Sequence, residues 1–377
     1  MIDLFSFFAG IGIMDLGFEL QDYRIQYVNE LYEPFLNGYK EARKILKIQE
    51  PDFGYSKNVT DLLKDSYLET IKNNIAKLRR QGSTVGFIGG PPCPDFSIAG
   101  KNKGREGGKG RLSLTFVQLI CKLKPDFFFF ENVKGLVSTK KHKKFYDELK
   151  GLLKKKGYLL SDELLNTISY GVPQDRTRIF LIGINKSFPG LLSKFPKGHL
   201  ESVDDFSFPW FKYANYNKNQ LNKLFKLPWP TRDPFKKDSV LTKPDNIPEK
   251  LTVEYWFRLN DVYSHPNSKN FFSPKASLKK FTRIEEGDDS KKSFKRLHRW
   301  RYSPTACYGN NEVHLHPYKA RRLSAAEALA IQSLPKNFSL PNDMTLTDMF
   351  KSIANGVPYL ASRKIAQTIK DFIEEEI

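Results

Sequence analysis

The sequence is poor in cysteine, in acidic residues and in long apolar runs. Three cysteines among 377 residues are too few for a disulfide-stapled secreted scaffold. The longest apolar stretch, 5–14, contains one serine and two glycines and is too short to span a bilayer. No basic segment precedes it, so it is not a secretory signal peptide either. These features predict a cytoplasmic protein that does not enter a membrane.

Charge and aromatic content indicate a basic globular protein. Lys and Arg number 61 against 42 Asp and Glu, which gives a formal net charge of +19. The 30 Phe and 17 Tyr exclude a disordered tail, because such segments are depleted in aromatic residues. A strong positive excess favours a polyanionic partner, and nucleic acid is the first candidate.

Apolar runs alternate with helical patterns in the first half of the chain. Strands are predicted at 2–8, 27–30, 84–88, 126–130 and 178–184, and helices at 113–123 and 141–155. Continuous apolar strands separated by helices are typical of an α/β fold with a parallel sheet covered on both faces. Functional residues are then expected just beyond the carboxyl ends of the strands.

The composition changes after Gly183. Residues 186–302 carry 24 Lys and Arg against 13 Asp and Glu, with many prolines and with aromatics among the basic residues. This segment is interpreted as a smaller, irregular domain that faces an anion; the alternative is a solvated insertion. Regular structure returns near 324, and an apolar stripe along 361–375 predicts a final helix that packs back on the first domain.

A glycine-rich turn at 8–12 (Phe-Ala-Gly-Ile-Gly) joins the first strand to a helix, and Glu30 ends the second strand. Glycines there leave the helix start open to a ligand, and Glu30 can accept two hydrogen bonds from a ribose diol. A dinucleotide fingerprint needs a third glycine where Asp15 stands, and an acid facing the helix start opposes a pyrophosphate. A ligand with a ribose and no phosphate fits better, and S-adenosylmethionine is such a ligand.

Cys93 follows a predicted strand within Gly-Gly-Pro-Pro-Cys-Pro (89–94). The prolines fix φ on both sides, so the thiol projects from a stiff loop, where its thiolate can act as a nucleophile. Segment 100–111, with five glycines and five Lys or Arg, is typical of a cationic lid. A buried structural thiol is the alternative for Cys93, and it is the interpretation preferred for Cys121 and for Cys307, which lies in a predicted strand.

Glu131 ends a run of four phenylalanines, 127–130. Desolvation by the rings raises the pKa of a carboxyl, which suits a proton donor to a ring nitrogen; a helix-capping acid is the alternative. Arg176 and Arg178 open a later strand, and their spacing places both on one face, where they can hold Glu131 or bind an anion. With Cys93, these residues suggest covalent attack on an electrophilic ring, followed by methylation.

At this point the sequence resembles the DNA (cytosine-5)-methyltransferase family, and six motifs carry the resemblance in order along the chain. They are Phe-Ala-Gly-Ile-Gly (8–12), Gly-Gly-Pro-Pro-Cys (89–93), Glu-Asn-Val (131–133), Gln-Asp-Arg-Thr-Arg (174–178), Arg-Arg-Leu (321–323) with Glu327, Gln332 and Pro335, and Asn-Gly-Val-Pro (355–358). The resemblance implies a Rossmann-like methyltransferase sheet in residues 1–185, completed by 335–377, with a target-recognition domain at 186–320 and a return segment from 321.

The resemblance also implies a mechanism. Cys93 adds to C6 of a cytosine rotated out of duplex DNA, Glu131 protonates or hydrogen-bonds N3, and the arginine pair orients both. Cofactor contacts to S-adenosylmethionine are expected from Phe8, Ala9, Gly10, Gly12, Glu30, Asn58, Pro92 and Asn355. DNA contacts are expected from Ser97, Lys101, Lys103, Arg105, Thr305 and Arg321. No metal site is predicted. The expected partners are duplex DNA and, acting separately, a cognate restriction endonuclease; the protein is expected to be a monomer in a bacterial cytoplasm, associated with the nucleoid.

Four positions depart from the family pattern: Ser6, Asn58, Pro94 and Ala354. Pro94 replaces a glutamine that usually follows the catalytic cysteine, and none of the four removes a group that does chemistry. A tRNA cytosine-5 methyltransferase of the same fold is the alternative function, although its Cys-Phe-Thr signature is absent from the sequence. A catalytically inactive DNA-binding relative is the other alternative.

Overall fold

Nine strands form the β structure in the computed structural model, which describes residues 1–92, 110–188, 205–274, 278–291, 293–308 and 313–374. The strands are β1 Ile2–Phe7, β2 Tyr23–Asn29, β3 Tyr55–Ser56, β4 Thr84–Gly89, β5 Phe127–Val133, β6 Tyr158–Asn166, β7 Gln174–Asp175, β8 Thr177–Asn185 and β9 Ser303–Pro304. Seven of them make one sheet in the order β3-β2-β1-β4-β5-β8-β6, and β7 pairs with β9.

The sheet is parallel except at β8. Strands β1 to β5 pair in parallel, whereas β8 runs antiparallel to both β5 and β6. The expectation of a wholly parallel sheet is therefore wrong for this strand, and β6 was not predicted. Since only the short segment 167–176 separates β6 from β8, the chain turns back beside β6 without a crossover helix, and this connection forces the antiparallel direction.

Twelve α-helices lie in the described residues. They are α1 Ile13–Glu19, α2 Glu33–Leu46, α3 Asp65–Arg80, α4 Gly110–Leu123, α5 Gly135–Ser138, α6 Lys140–Lys155, α7 Lys218–Phe225, α8 Val253–Leu259, α9 Leu278–Phe281, α10 Ala325–Ile331, α11 Leu346–Asn355 and α12 Tyr359–Glu374. None of the helices in these parts of the chain has the length and apolar character needed to cross a bilayer.

Alternating side chains of the strands bury both faces of the sheet. In β5, Phe127 and Phe129 join one apolar cluster, while Phe128 and Phe130 join the cluster on the opposite face. All four rings are at most 1% exposed. Because the pleat sends neighbouring residues to opposite sides, an uninterrupted run of phenylalanines fits a strand covered on both faces.

The final helix returns to the first one. The Ser362 hydroxyl of α12 donates to the Met14 carbonyl of α1 at 2.6 Å. A Cβ on Gly17 would lie 2.5 Å from the Ser362 Oγ, so the two helices approach too closely for any larger residue there. Ile365 and Ile369 are buried in the same contact region. The apolar stripe of the last helix therefore does pack on the first domain.

Residues 205–308 contain short helices and little strand structure, as expected for an irregular region. Its ion pair between Arg299 and Glu286, at 2.7 Å, is almost fully buried. Phe208 and Trp210, two of the aromatics that lie among basic residues in this segment, pack in the apolar cluster that includes strand residues of the main sheet. Their rings are buried because apolar area is more stable away from water than beside a charged ligand.

Candidate active site

The turn after β1 has an unusual backbone. Phe8, Gly10 and Gly12 have φ values of +57°, +60° and +75°, all in the left-handed region. Glycine adopts this conformation freely, whereas a phenylalanine there stores strain of the kind found at ligand sites. Among the described residues, apart from the chain neighbours of Gly10, no heavy atom lies within 4 Å of the position that a Cβ would take on Gly10. The turn therefore offers bare backbone and open space at the carboxyl edge of the sheet.

Glu30 lies directly against this turn. Its Oε2 accepts a hydrogen bond from the Gly10 amide at 2.8 Å, and its Oε1 accepts one from the Tyr32 amide at 2.8 Å. Burial raises the pKa of Glu30, although these backbone donors lower it. A carboxylate has about four lone-pair positions. Each oxygen thus retains acceptor capacity for a diol.

Arg43 of α2 forms hydrogen bonds to the turn from the protein interior, and the sequence analysis did not predict this contact. Its Nη1 donates to the Ile11 carbonyl at 3.2 Å, and its Nη2 donates to the Gly12 carbonyl at 2.8 Å. The same Nη2 forms a 2.7 Å ion pair with Glu19. A Cβ on Gly12 would lie 2.3 Å from Nη1, so only glycine fits above the guanidinium. Arg43 is 2% exposed, and its charge is compensated by α1 and by the turn carbonyls.

Asp15 does not lie open at the helix start, where it was expected to oppose a pyrophosphate. It is fully buried in α1. Burial raises the pKa of Asp15 to about 6, while the nearby Arg43 guanidinium lowers it. The Asp15 side chain is therefore part of the protein interior and does not face a ligand at the helix start.

The remaining predicted cofactor residues surround the same edge. The Ala9 amide donates to the Asn29 carbonyl at 3.1 Å. Asn58 lies just after β3 and caps the 3-10 helix at 59–63 by accepting from the Thr60 amide. Asn355 is exposed at the end of α11, and a Cβ on its neighbour Gly356 would lie 2.5 Å from Ile13. Pro92 is exposed at the end of the described segment 1–92.

Glu131 lies in β5, the strand that pairs directly with β4. It is 7% exposed, and its Oε1 forms an ion pair with the Arg178 Nε at 3.1 Å. Burial raises the pKa of Glu131, and Arg178 followed by Arg176 lowers it. The expectation of a raised pKa is therefore confirmed, since desolvation outweighs both guanidinium charges. A helix-capping role is excluded because Glu131 is a strand residue paired opposite Phe180.

Arg176 and Arg178 both face this carboxyl, although Arg176 falls in the break between β7 and β8 and not on one continuous strand. The Arg176 Nη1 donates to the Ala306 carbonyl at 3.4 Å, and its Nε has no hydrogen-bond partner in the described parts of the chain. Burial lowers the pKa of both guanidinium groups, and the Glu131 carboxylate raises it. Gln174, not predicted as a functional residue, accepts from the Ala306 amide at 3.1 Å and so fixes the backbone beside Arg176.

Cys93 lies outside the described residues, as do Ser97, Lys101, Lys103 and Arg105. The residues just before Cys93 are described, and two of them lie beside Glu131 and its neighbour Asn132. The Asn132 side-chain amide donates to the Pro91 carbonyl at 3.3 Å. A Cβ on Gly90 would lie 3.0 Å from the Glu131 Oε2.

The interpretation of Cys307 as a structural strand cysteine is wrong. β9 ends at Pro304, and Cys307 is exposed in the loop that follows. The Cys307 thiol is one of the groups that act electrostatically on Arg176 and Arg178, which places it near the acid site. Cys121 is half-buried against an apolar cluster in α4, in keeping with a structural thiol.

The two described DNA-contact candidates have protein partners. The Thr305 hydroxyl donates to the Asp175 carbonyl at 2.5 Å. The Arg321 guanidinium makes two hydrogen bonds to Glu327, at 2.8 and 2.7 Å. In this structure Arg321 holds the turn before α10, and its contact with DNA stays a prediction. Across the described segments, no group of three His, Cys, Asp or Glu side chains is placed to hold a metal ion.

Comparisons with known proteins identify relatives with a similar sequence and solved structures with the same fold. The chain is 52% identical to the Type II methyltransferase M.NmeDI of Neisseria meningitidis serogroup C over 98% of this chain and 84% of the relative. It is 26% identical to M.FnuDI of Fusobacterium nucleatum over 99% and 97%. A prophage-encoded E. coli protein described as a DNA modification methyltransferase has the same fold, with a TM-score of 0.64, 20% identity and full coverage of both chains.

The S. pombe Dnmt2 methyltransferase also shares the fold, with a TM-score of 0.58, 13% identity and 98% coverage of each chain. The profile of the C-5 cytosine-specific DNA methylases matches residues 2–371, which include every element of the sheet and both halves of the site. The chain therefore belongs to the C-5 cytosine-specific DNA methylase family.

Proposed function

We propose that the protein transfers a methyl group from S-adenosylmethionine to C5 of a cytosine rotated out of duplex DNA, through a covalent adduct with Cys93. The modified bases protect host DNA from a cognate restriction endonuclease that acts separately. Membership of the C-5 cytosine-specific DNA methylase family and the net charge of +19 support a DNA substrate. The observation that carries the proposal is the hydrogen bond that Asn132, the residue after Glu131, donates to Pro91 in the segment preceding Cys93.

This contact limits how far the thiol can be from the acid. Pro91 accepts a hydrogen bond from Asn132, the residue after Glu131. Two peptide bonds separate Pro91 from Cys93, so their Cα atoms are at most about 8 Å apart. This bound supports the proposed arrangement, in which a pyrimidine at this edge lies between the Cys93 thiolate and the Glu131 carboxyl.

Cys93, Glu131 and the two arginines have separate roles in the proposed reaction. The Cys93 thiolate forms a bond to C6, and the proton of Glu131 passes to N3 or is shared with it, so that negative charge does not accumulate on the ring. The C5–C6 double bond is lost as the S–C6 bond forms, and its electron pair makes a C4–C5 double bond, so the ring becomes an enamine that is nucleophilic at C5. After C5 is methylated, loss of its proton and of the thiolate restores the aromatic ring. Arg178 holds Glu131, and Arg176 adds a second positive charge beside it.

The turn at 8–12 fits S-adenosylmethionine, which supplies an electrophilic methyl group when it is bound. The open space at Gly10 admits a ligand against the backbone, and the free lone pairs of Glu30 suit a ribose diol. Neither feature offers a counter-charge for a pyrophosphate. The residues proposed to hold the cofactor are Phe8, Ala9, Gly10, Gly12, Glu30, Asn58, Pro92 and Asn355.

The basic recognition region contacts the duplex in this proposal. Ser97, Lys101, Lys103, Arg105, Thr305 and Arg321 remain the proposed DNA contacts. The enzyme acts as a monomer in the bacterial cytoplasm, associated with the nucleoid through its DNA. Irregular loops supply the base contacts that select the sequence.

Methyl transfer to purified nucleic acids tests the function. The expected result is incorporation into duplex DNA of random sequence, with bisulfite sequencing placing 5-methylcytosine at one recurrent site. Cys93→Ser is expected to abolish turnover while S-adenosylhomocysteine still binds. Incorporation into tRNA with none into duplex DNA would reject the proposal, and equal loss of turnover and binding in Cys93→Ser would make Cys93 a structural residue.

A further inference from the structure

Four exposed lysines crowd the first turn of α6 at the catalytic edge of the sheet. This lysine patch consists of Lys140, Lys141, Lys143 and Lys144. The strand that carries Glu131 ends at Val133, seven residues before Lys140, and the single-turn helix α5 lies between them. The chain length places the start of α6 no more than about 25 Å from the end of that strand.

The patch is electrostatically unfavourable in the free protein. The helix macrodipole is positive at the N-terminus, and the first turn of α6 contains no acidic residue to offset it. Lysines 140 and 143, 140 and 144, and 141 and 144 are three or four positions apart, where like charges repel across a helix face. None of the ion pairs found within the described ranges includes any of the four.

Other features of α6 hold the helix in place despite this charge. Thr139 caps its N-terminus by accepting from the His142 amide. Phe145, Tyr146, Leu149 and Leu153 bury its inner face. The lysines thus add nothing that the fold requires. The same helix has basic residues in its last turn too, where the macrodipole favours them.

We infer that the lysine patch binds phosphates of the duplex outside the recognition region, a proposal that rests on the proposed function. A flat, exposed row of four cations fits a polyanion with regularly spaced charges, because one small anion cannot reach all four side chains. Lysine contacts a phosphate as a point charge and carries no base information. The patch therefore contributes affinity and salt dependence, and it leaves the choice of sequence to the recognition region.

The test compares two variants with the same loss of charge. The patch variant is K140Q/K141Q/K143Q/K144Q. The control variant is K77Q/K122Q/K155Q/K156Q, whose lysines are exposed at the ends of α3, α4 and α6. Those helix ends lead into β4, β5 and β6, so the control positions lie at the opposite edge of the sheet from Glu131. Both variants keep every residue assigned here to catalysis or cofactor binding.

Binding is measured by anisotropy with a labelled duplex of random sequence, in the presence of S-adenosylhomocysteine and over a range of salt concentrations. Each lost phosphate contact lowers the slope of log K against log salt by about 0.9. The patch variant is expected to lose about 2 to 4 in slope and to bind more weakly than wild type, with the largest difference at low salt. The control variant is expected to keep the wild-type slope within about 0.5. Bisulfite sequencing should find the same methylated site for both.

Thermal unfolding separates this role from a structural one. Removing repelling charges from the start of α6 is expected to raise the Tm of the patch variant, whereas the control variant loses favourable helix-end charges and its Tm falls. Equal slopes for the two variants, or a lower Tm for the patch variant, would overturn the inference. Failure of the wild-type enzyme to methylate any duplex would instead reject the proposed function, because the DNA-binding comparison does not require turnover.

Discussion

Glu131→Gln tests whether the buried carboxyl of Glu131 lowers the stability of the fold while it serves catalysis. Loss of one partner from a buried ion pair commonly destabilises a protein by about 3–5 kcal/mol, because the other charge is left alone. Here the pKa of Glu131 is raised, so the two guanidinium groups do not fully offset the burial of its charge. The neutral side chain is therefore favoured in the folded state, and the amide is expected to stabilise the fold at neutral pH.

The sign of the pH dependence follows from the same shift. Between the unfolded pKa, near 4.5, and the higher folded pKa, the folded protein binds more protons than the unfolded chain. Stability contributed by the protonated Glu131 is present below this window and is lost as pH rises through it, by at most about 1.4 kcal/mol per pH unit. Glu131→Gln lacks this loss, so its advantage over wild type is expected to grow with pH.

The rate of methyl transfer is expected to fall in Glu131→Gln, whereas the stability of the fold is expected to rise. An amide cannot deliver a proton to N3, and loss of a general acid lowers kcat by about 10²–10⁴. The assays are urea denaturation from pH 4 to pH 8 and single-turnover methyl transfer. Glu69→Gln on the exposed face of α3 is the matched control, with wild-type kcat expected because its side chain is 65% exposed. A kcat for Glu131→Gln within threefold of wild type, or a stability difference that does not change with pH, would refute this reasoning.

The cofactor turn gives two further predictions. Gly12→Ala is expected to lower the free energy of unfolding by about 2–5 kcal/mol, since it adds a clash with Arg43 to the backbone strain of φ +75°. At Gly54, with φ +74°, no described atom beyond its chain neighbours lies within 4 Å of a Cβ, so Gly54→Ala is expected to lower the free energy of unfolding by only about 1–2 kcal/mol. Equal losses for the two variants in urea denaturation would contradict the clash with Arg43. Arg43→Met is expected to weaken S-adenosylhomocysteine binding in calorimetry by about tenfold, because both turn carbonyls lose a charged donor, and Arg43→Lys is expected to recover part of the affinity. An unchanged Kd in Arg43→Met would mean that Arg43 serves the fold alone.

The sequence was sufficient to predict features that depend on local pattern. Four phenylalanines in a row require a strand covered on both faces, and a charged residue directly after them falls at the strand's carboxyl end. Glu131 and Glu30 could be placed at this edge of the sheet for this reason, and their roles in catalysis and cofactor binding stay predictions.

Features set by distant pairing could not be predicted in this way. The direction of β8 depends on its neighbours β5 and β6, and its own apolar residues fit either direction. In the sequence, Arg43 resembles a solvent-facing residue of an amphipathic helix. Only the structure shows that the turn carbonyls and Glu19 surround it. Cys307 follows β9 in a loop whose path depends on pairing with β7, 130 residues earlier, so its exposure beside the arginine pair had no local signal.

Trapping with duplex DNA that carries 5-fluorocytosine at the methylated site tests the central claim most directly. Fluorine at C5 cannot leave as a proton does, so the thiolate cannot be eliminated after methylation. Wild-type protein and Cys307→Ala, incubated with S-adenosylmethionine, are predicted to form a denaturant-stable protein–DNA adduct whose peptide map places the link at Cys93, and Cys93→Ala is predicted to form none. No adduct from the wild-type protein, or an adduct that survives in Cys93→Ala, would contradict the account.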